Sequence, residues 1–139
     1  MAFKPGLTAV DSLLAMTPVS FDISIAELLL PLFCGASLYI VSEKLRKNAA
    51  ELAKIIETQF ITVIQATPSS YLLLKNHQWF SKKRLILWIG GEPLPFSLTE
   101  YFLNQGHTLF NMYGPTETTI WASVNRVKKN EPICIGAVV

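Results

Sequence analysis

The segment at residues 113–119 (YGPTETT), which follows a strand-like run, has the residue types that bind a phosphorylated ligand. Its Gly-Pro pair forces the chain to turn, so Thr116 and Glu117 would face the space above the preceding strand. A hydroxyl beside a carboxylate suits a phosphate oxygen and the Mg²⁺ that neutralises it. Tyr113 offers a flat ring for stacking on a base. A polar turn in which Thr116 caps a helix explains the same pattern equally well.

Two further polar stretches follow apolar runs, at residues 18–24 (PVSFDIS) and 90–95 (GGEPLP). In the first, Asp22 could pair with the ammonium group of a ligand, although the pattern alone favours Asp22 and Ser24 as a helix cap. In the second, the two glycines would let the backbone approach a flat ligand, although such a pair is more often a tight turn. Neither stretch has the glycine spacing of a dinucleotide-binding fold or of a P-loop.

Apolar runs that indicate short strands alternate with helical patterns along the chain. The strand-like runs lie at residues 11–17, 37–42, 60–67, 84–90 and 107–113. The helical patterns between them carry start and stop signals, namely a capping box at Ser24 and Glu27, an N-cap at Asn48, a first-turn proline at Pro68 and a terminal glycine at Gly106.

This alternation of strands and helices predicts an α/β fold. We expect a three-layer, doubly wound and mostly parallel sheet with helices on both faces, because the strands are almost continuously apolar. Since the sequence has no repeat, low-complexity segment or linker, residues 1–139 are expected to form a single domain. Ligands of such sheets bind beyond the carboxyl ends of the strands. The three polar stretches follow strands at that edge, which makes it the candidate site.

The composition argues against several classes of function. A net charge of +2, with only 16% charged residues, argues against nucleic-acid binding. The apolar run at residues 28–41 is broken by a proline and a glycine and is too short to span a bilayer, and the N-terminus has no signal-peptide core. Cys34 and Cys134 lie among apolar residues, so we expect buried free thiols and a reducing, cytoplasmic setting. His77 and His107 have no partners at metal-ligand spacing.

The stretch at residues 111–119 (NMYGPTETT), with FDIS at 21–24 and GGEPLP at 90–95, resembles the adenylation domains of nonribosomal peptide synthetases. These domains belong to the adenylate-forming family, which also includes acyl-CoA ligases and luciferases. The resemblance extends along the chain to residues 132–139 (PICIGAVV), and FDIS is typical of members that take amino acids instead of fatty acids. It implies a flavodoxin-like subdomain, a middle fragment of the large N-terminal part of an adenylation domain.

The same resemblance implies roles for individual residues of this chain. Thr116 would contact the α-phosphate and Glu117 would hold Mg²⁺, so both would be catalytic. Asp22 would bind the α-ammonium group of the amino acid. The residues implied to bind the nucleotide are Gly91, Glu92, Pro93, Asn111, Met112, Tyr113 and Thr116. The residues implied to form the pocket for the amino-acid side chain are Ile23, Ala26, Gln65, Trp88, Gly90, Met112, Ile120 and Trp121.

These pocket positions resemble the family's pattern for glycine. Trp88 and Trp121 would occupy much of a cavity meant for one side chain, and an apolar pocket rejects an oversized side chain by overlap. Two residues oppose this interpretation, because Ala26 stands where the glycine pattern usually has leucine, and Gln65 could hydrogen-bond a polar side chain. On balance we expect glycine or another small amino acid.

The implied reaction joins an amino acid and ATP into aminoacyl-AMP and pyrophosphate, with Mg²⁺ as cofactor. Family members are much longer, so the phosphate loop would precede Met1, and the ribose-binding aspartate, the hinge and a lysine would follow Val139. We therefore expect the chain alone to be inactive, to require the rest of the domain, to serve a downstream carrier protein and to self-associate through apolar surface. The alternatives are a non-catalytic flavodoxin-like binding module and a fragment of an acyl-CoA ligase, against which Asp22 argues.

Overall fold

The computed structural model describes residues 2–118 and 120–138 and contains a seven-stranded sheet. The strands are Ser12–Ala15 (β1), Ser37–Ile40 (β2), Val63–Ala66 (β3), Ile86–Gly90 (β4), Thr108–Tyr113 (β5), Ser123–Val127 (β6) and Ala137–Val138 (β7). Their order across the sheet is β2-β1-β3-β4-β5-β6-β7. Strands β1 to β5 are parallel, whereas β6 and β7 continue the sheet in antiparallel fashion. The carboxyl ends of the five parallel strands therefore share one edge.

Five α-helices accompany this sheet in the described part of the chain. They are Ile23–Cys34 (α1), Glu43–Arg46 (α2), Ala49–Thr58 (α3), Pro68–Asn76 (α4) and Phe96–Asn104 (α5). A short irregular turn at Ala2–Gly6 precedes β1, and a 3₁₀ turn at Thr116–Thr118 follows β5.

The two faces of the sheet carry separate cores, because successive side chains of a strand point to opposite faces. Ile64 and Leu87 face one core, which α3, α4 and α5 cover. Their neighbours Val63 and Trp88 face the other core, against which α1 packs. The predicted α/β fold, a mostly parallel sheet with helices on both faces, is confirmed.

All five predicted strands are present, and each is shorter than its apolar run. The sequence patterns do not indicate β6, β7 or the short α2. The run at β6 (SVNRV) contains an asparagine and an arginine and is not typical of a buried strand. It is a strand because it pairs with β5 over five positions, including Met112 opposite Val124 and Tyr113 opposite Ser123. Such pairing is a tertiary contact, which the strand propensities of the individual residues do not predict.

Three of the four predicted helix signals are confirmed. Asn48 Oδ1 accepts from the amides of Ala50 and Glu51 at 3.1 and 3.2 Å. Pro68 is the first residue of α4 after the N-cap Thr67, and Gly106, which follows the C-cap of α5, has a φ of 83°.

The capping box at Ser24 and Glu27 is wrong. The N-cap of α1 is Asp22, so Ser24 lies inside the first turn, where its hydroxyl donates to Phe21 O at 2.6 Å. The carboxylate of Glu27 instead turns into the protein and accepts hydrogen bonds from the loop after β1. Burial of an acidic side chain overrides the local signal here.

Helix α1 is apolar on its outer side as well as on its inner side. Ile25, Leu29, Leu32 and Phe33 recur at helical spacing and are exposed, Phe33 to 85%. Together with Phe21 they form an apolar surface, which we call the α1 face. In the described part of the chain, no helix has both the length and the apolar character needed to cross a bilayer.

The two cysteines differ from the expectation of buried thiols. Both are free, but Cys34 at the end of α1 is half-buried and Cys134 is exposed. Apolar neighbours in the sequence do not bury Cys134, because it lies in the extended segment between β6 and β7, where five of the six residues from Glu131 to Gly136 are exposed.

His107 is an ordinary core histidine. Its Nδ1 accepts from the Leu85 amide at 3.2 Å, and its ring stacks on Trp79 with centroids 5.9 Å apart. Burial lowers the pKa of His107 to about 4, against a smaller opposing effect of the Glu57 charge. The unfolded chain binds this proton near pH 6.5, so the folded state loses stability as the pH falls from about 6.5 towards about 4.

We expect this histidine alone to lower the free energy of unfolding by up to about 3 kcal/mol across that interval. Urea denaturation at pH 7 and pH 4.5 measures the loss, and His107→Gln, which keeps an acceptor for Leu85, is the comparison. The variant should show a clearly smaller loss on acidification. An equal loss in both proteins would remove His107 from the acid response.

Candidate functional site

The carboxyl ends of β4 and β5 border a cavity of about 460 Å³. Its walls come from residues 91–94 after β4, residues 111–115 at the end of β5, and Ile135. Six of the seven residues predicted to bind the nucleotide line it, namely Gly91, Glu92, Pro93, Asn111, Met112 and Tyr113. The seventh, Thr116, follows directly after the wall residue Pro115. The structure brings these residues together, and their binding role stays a prediction.

Two polar residues of β5, Asn111 and Tyr113, line this cavity and lie on one face of the strand. Asn111 is buried, and its Nδ2 donates to Cys134 O at 2.8 Å, which fixes the amide. The Oδ1 atom of Asn111 then remains as an acceptor for a ligand. Tyr113 is 49% exposed and presents a ring at the rim of the cavity.

The turn after β4 lets the backbone reach the cavity. Gly91 has a φ of 84°, a left-handed conformation that glycine adopts without strain. Glu92 Oε2 accepts from Ser69 Oγ at 2.6 Å and from the Ser69 amide at 3.2 Å, so the turn is tied to the first turn of α4.

The two predicted catalytic residues lie just beyond the cavity. Thr116 and Glu117 are exposed in the 3₁₀ turn, where Thr118 Oγ1 donates to Pro115 O at 3.0 Å. Thr119, the last residue of the motif, lies outside the described residues. Within the described ranges, no group of three or more His, Cys, Asp or Glu side chains could hold a metal ion.

Asp22 is the N-cap of α1, which agrees with the prediction that it caps a helix. Its Oδ1 accepts from the Ile23 amide at 2.8 Å, and the side chain is half-buried. The cap uses only the Oδ1 atom of Asp22, so the negative charge of the carboxylate can still pair with a cation. The capping role and the predicted ammonium-binding role are thus compatible.

Two residues of the predicted amino-acid pocket, Gln65 and Trp121, are joined by a hydrogen bond. Trp121 Nε1 donates to Gln65 Oε1 at 2.9 Å, and both side chains are buried. Gln65 Nε2 donates to Ile23 O at 3.0 Å. Both ends of the Gln65 amide are therefore occupied by protein groups.

Trp88 and Gly90 lie on β4, the neighbour of the strand β3 that carries Gln65. Trp88, which is fully buried, is the register partner of Gln65, and Gly90 is the register partner of Met112. A Cβ at position 90 would overlap the ring of Trp121 and the carbonyl oxygen of Met112. The indole thus lies directly against the glycine backbone, and no side chain fits between them.

The remaining pocket residues lie around this arrangement. Ile23 and Ile120 pack against the core that contains Trp88 and Trp121. Ile120 has a φ of 68°, a strained conformation for a β-branched residue that is typical of functional sites. Ala26 is buried in α1, three residues after Ile23 and so on the same side of the helix. Eight of the nine predicted substrate residues are thus brought into one region, and Asp22 precedes Ile23 at its border.

A second cavity, of about 590 Å³, adjoins the first and shares Gly91 and Glu92 with it. Thr17 and Ile23 line it beyond β1, and Arg46 brings a positive charge from α2. The two cavities together follow the carboxyl edge of the sheet, from β1 to β5.

The sequence analysis assigned Glu27 to a helix cap and missed its buried hydrogen bonds. Its Oε2 accepts from the amides of Met16 and Thr17 at 2.9 Å, and its Oε1 accepts from Thr17 Oγ1 at 2.5 Å and Gln65 Nε2 at 3.3 Å. Burial raises the pKa of this carboxyl, while the hydrogen bonds, led by that of the Thr17 side chain, oppose the shift. A signal was present, since a lone acid inside an apolar helix (IAELLL) indicates a buried and paired carboxylate.

Comparisons with known proteins agree with this geometry. The sequence profile described as AMP-binding enzyme matches residues 2–139. A dimodular nonribosomal peptide synthase of Bacillus subtilis is 40% identical over 113 residues, which cover 81% of this chain and 5% of the relative.

Two solved structures have the same fold. The four-domain nonribosomal peptide synthetase AB3403, bound to AMP and glycine, is similar with a TM-score of 0.89 and 36% identity, over 96% of this chain and 10% of that chain. The Vibrio cholerae adenylation domain AlmE, in complex with glycyl-adenosine-5'-phosphate, gives a TM-score of 0.81 and 27% identity, over 95% of this chain and 26% of that chain.

The chain thus spans a small share of the proteins that it matches, 5% of the Bacillus synthase and 26% of AlmE. The family match covers nearly all of its own residues. The chain belongs to the AMP-binding enzyme family and corresponds to part of a nonribosomal peptide synthetase adenylation domain.

Proposed function

We propose that this chain forms the nucleotide- and amino-acid-binding part of an adenylation domain that activates glycine or another small amino acid. The observation that carries the proposal is the cavity of about 460 Å³ between the turn after β4 and the end of β5. It lies beside a buried region in which Trp121, Gln65 and Gly90 are in contact. One edge of the sheet thus offers an open space for a nucleotide beside a closed wall that suits a small substituent.

The nucleotide would bind in the first cavity. Tyr113 would stack on the adenine, and Asn111 Oδ1, which the bond to Cys134 leaves unused, would accept from the exocyclic amino group. The backbone of Gly91 to Pro93 would cover the other side of the base, since a glycine allows the close approach.

The reaction would take place at the edge of the cavity, next to Thr116 and Glu117. A carboxylate oxygen of the amino acid attacks the α-phosphorus of ATP, and the bond from that phosphorus to pyrophosphate breaks, giving aminoacyl-AMP. Thr116 would donate its hydroxyl hydrogen to an α-phosphate oxygen, where negative charge increases. Glu117 would hold Mg²⁺, which supplies positive charge to the phosphates when bound.

Substrate size would be set by the wall of the amino-acid pocket. Asp22 would pair with the α-ammonium group and thereby orient the substrate. With Trp121 against Gly90 and both ends of the Gln65 amide occupied, a long side chain would overlap the indole. The ligands named for AB3403 and AlmE, glycine and a glycyl adenylate, support a glycine-sized pocket.

The partners would be the remainder of the adenylation domain and a downstream carrier protein. The remainder would cover the α1 face, since a patch with Leu32 and Phe33 exposed is unusual in an isolated domain. Without it, the chain would self-associate through this face. A cytoplasmic setting would keep the free thiols of Cys34 and Cys134 reduced.

The test is amino-acid-dependent exchange of labelled pyrophosphate into ATP, across all proteinogenic amino acids. We expect the complete adenylation domain that contains this sequence to prefer glycine, with alanine lower by about tenfold or more. We expect the 139-residue chain alone to give background exchange, because no described residue lining the nucleotide cavity is a lysine or an arginine. A preference for an aromatic or long charged amino acid would contradict the small-pocket proposal.

Two alternatives give different results in the same assay. A non-catalytic binding module predicts no exchange even by the complete domain. An acyl-CoA ligase fragment predicts that a fatty acid, instead of an amino acid, drives the exchange, and Asp22 would then have no ammonium partner.

A further inference from the structure

Glu27 is a buried carboxylate to which the proposed reaction gives no role. Its side chain is 1% exposed, and none of the ion pairs among the described residues includes it. Four hydrogen-bond donors surround it instead, two on each oxygen. A buried charge without a cation is costly unless such bonds compensate for it, so this arrangement needs an explanation.

Two acceptor oxygens, one of them on Glu27, determine which way the Gln65 amide points. An amide has one donating and one accepting end, and these ends are not interchangeable. Glu27 Oε1 and Ile23 O are both acceptors, so they require the Nε2 end. The Oε1 end must then face Trp121, whose indole N–H can only donate.

We propose that Glu27 is a positioning residue for substrate selection, which holds Trp121 against Gly90 by fixing the amide of Gln65. This inference rests on the proposed function. The connection runs from α1 through β3 to the segment before β6, so it joins the helix capped by Asp22 to the wall of the amino-acid pocket. Glu27 contacts neither the substrate nor the nucleotide in this proposal.

The isosteric change Glu27→Gln makes the proposal testable, because it replaces one acceptor by a donor. The new amide keeps its oxygen on the amides of Met16 and Thr17, so its NH₂ group faces Gln65 Nε2. Two donors then oppose each other. Gln65 must either give up this contact or reverse its amide, and reversal sets Nε2 against the Trp121 N–H.

We expect Glu27→Gln in the complete adenylation domain to lower the ratio of kcat/KM for glycine over alanine by about tenfold, through better use of alanine. In a Trp121→Phe background, the same change should leave the ratio where Trp121→Phe alone puts it, because the two residues act in one chain. Thr99→Val is the matched control, because it removes a side-chain hydrogen bond of a buried residue, from Thr99 Oγ1 to Pro95 O at 3.2 Å. Thr99 lies in α5, which covers the opposite core, so this change should leave the ratio unchanged.

A second measurement does not depend on activity. Among the described residues, the indole nitrogens of Trp79 and Trp88 are buried without a hydrogen-bond partner, whereas that of Trp121 is bonded. In a ¹H–¹⁵N spectrum of the 139-residue chain, Glu27→Gln should move the Trp121 indole signal and leave the other two in place. Trp121→Phe assigns the signal.

The possible outcomes separate the role of Glu27 from the proposed function. An unchanged ratio, a tenfold loss that persists in the Trp121→Phe background, or an unmoved indole signal would each overturn the role of Glu27. A complete domain without amino-acid-dependent exchange would instead refute the proposed function, and the indole signal would still decide the positioning. If Glu27→Gln does not fold, Glu27→Asp replaces it, since it keeps the charge and withdraws the carboxylate from Gln65.

Discussion

Replacing Glu117 by glutamine in the complete adenylation domain should lower the rate of pyrophosphate exchange by about 10²–10³-fold. The side chain is exposed beside the nucleotide cavity, so the change should not disturb the core. Glutamine keeps the size of glutamate but removes the charge that would anchor Mg²⁺. Steady-state exchange at saturating glycine, across a magnesium titration, measures the effect. The affinity for glycine should stay close to that of the unmodified domain.

Thr118→Ala is the control for this change. Thr118 lies in the same turn and makes an exposed hydrogen bond to Pro115 O, but the proposed mechanism gives it no role. Its loss should change the rate only slightly, because exposed side-chain hydrogen bonds add little to stability. Equal rates for Glu117→Gln and the unmodified domain at every magnesium concentration would remove Glu117 from the metal site.

Asp22→Ala should weaken the use of the amino acid, with kcat/KM for glycine falling by about 10²-fold. The substrate ammonium would lose its charged partner in a site that the rest of the domain would close off from water. The effect should lie mainly in the KM for glycine, with little change in the KM for ATP. Exchange kinetics with each substrate varied in turn separate the two.

Because Asp22 also caps α1, a second variant is needed to separate its two roles. Asn is as good an N-cap as Asp, so Asp22→Asn keeps the bond to the Ile23 amide and removes only the charge. Asp22→Asn should therefore retain the stability of the parent and lose most of its amino-acid affinity. If Asp22→Asn binds glycine as tightly as the parent does, the cap is the whole role of Asp22.

The parallel part of the fold could be predicted because its information is local. The runs that form β3 and β4 are almost wholly apolar, and the helices between strands begin at side chains such as Asn48 and Thr67 that cap them. Strand β6 could not be predicted in this way, since Asn125 and Arg126 break its apolar pattern and its pairing with β5 and β7 makes it a strand.

Most of the wall of the cavity between β4 and β5 could also be predicted, because it depends on the parallel arrangement of these strands. In a parallel sheet, the ends of neighbouring strands meet, so residues 91–93 and 111–113 had to approach each other. Ile135 was not predictable as part of the wall, because its position depends on β6 and β7. Glu27 was misjudged as a cap, since the capping-box spacing does not tell whether the glutamate turns towards the helix end or into the core.

The pairing of β1 and β5 with their neighbouring strands has a consequence for exchanging this segment between synthetases. A graft of residues 20–121 carries every predicted pocket residue, but its first cut point separates β1 from both β2 and β3, and its last separates β5 from β6. The donor strands would then have to pair with host strands whose side chains differ in size, beside the residues proposed to contact the substrate. Cut points outside Ser12 and Val138 would transfer the seven described strands together, so that their hydrogen-bonded pairs are inherited from one parent.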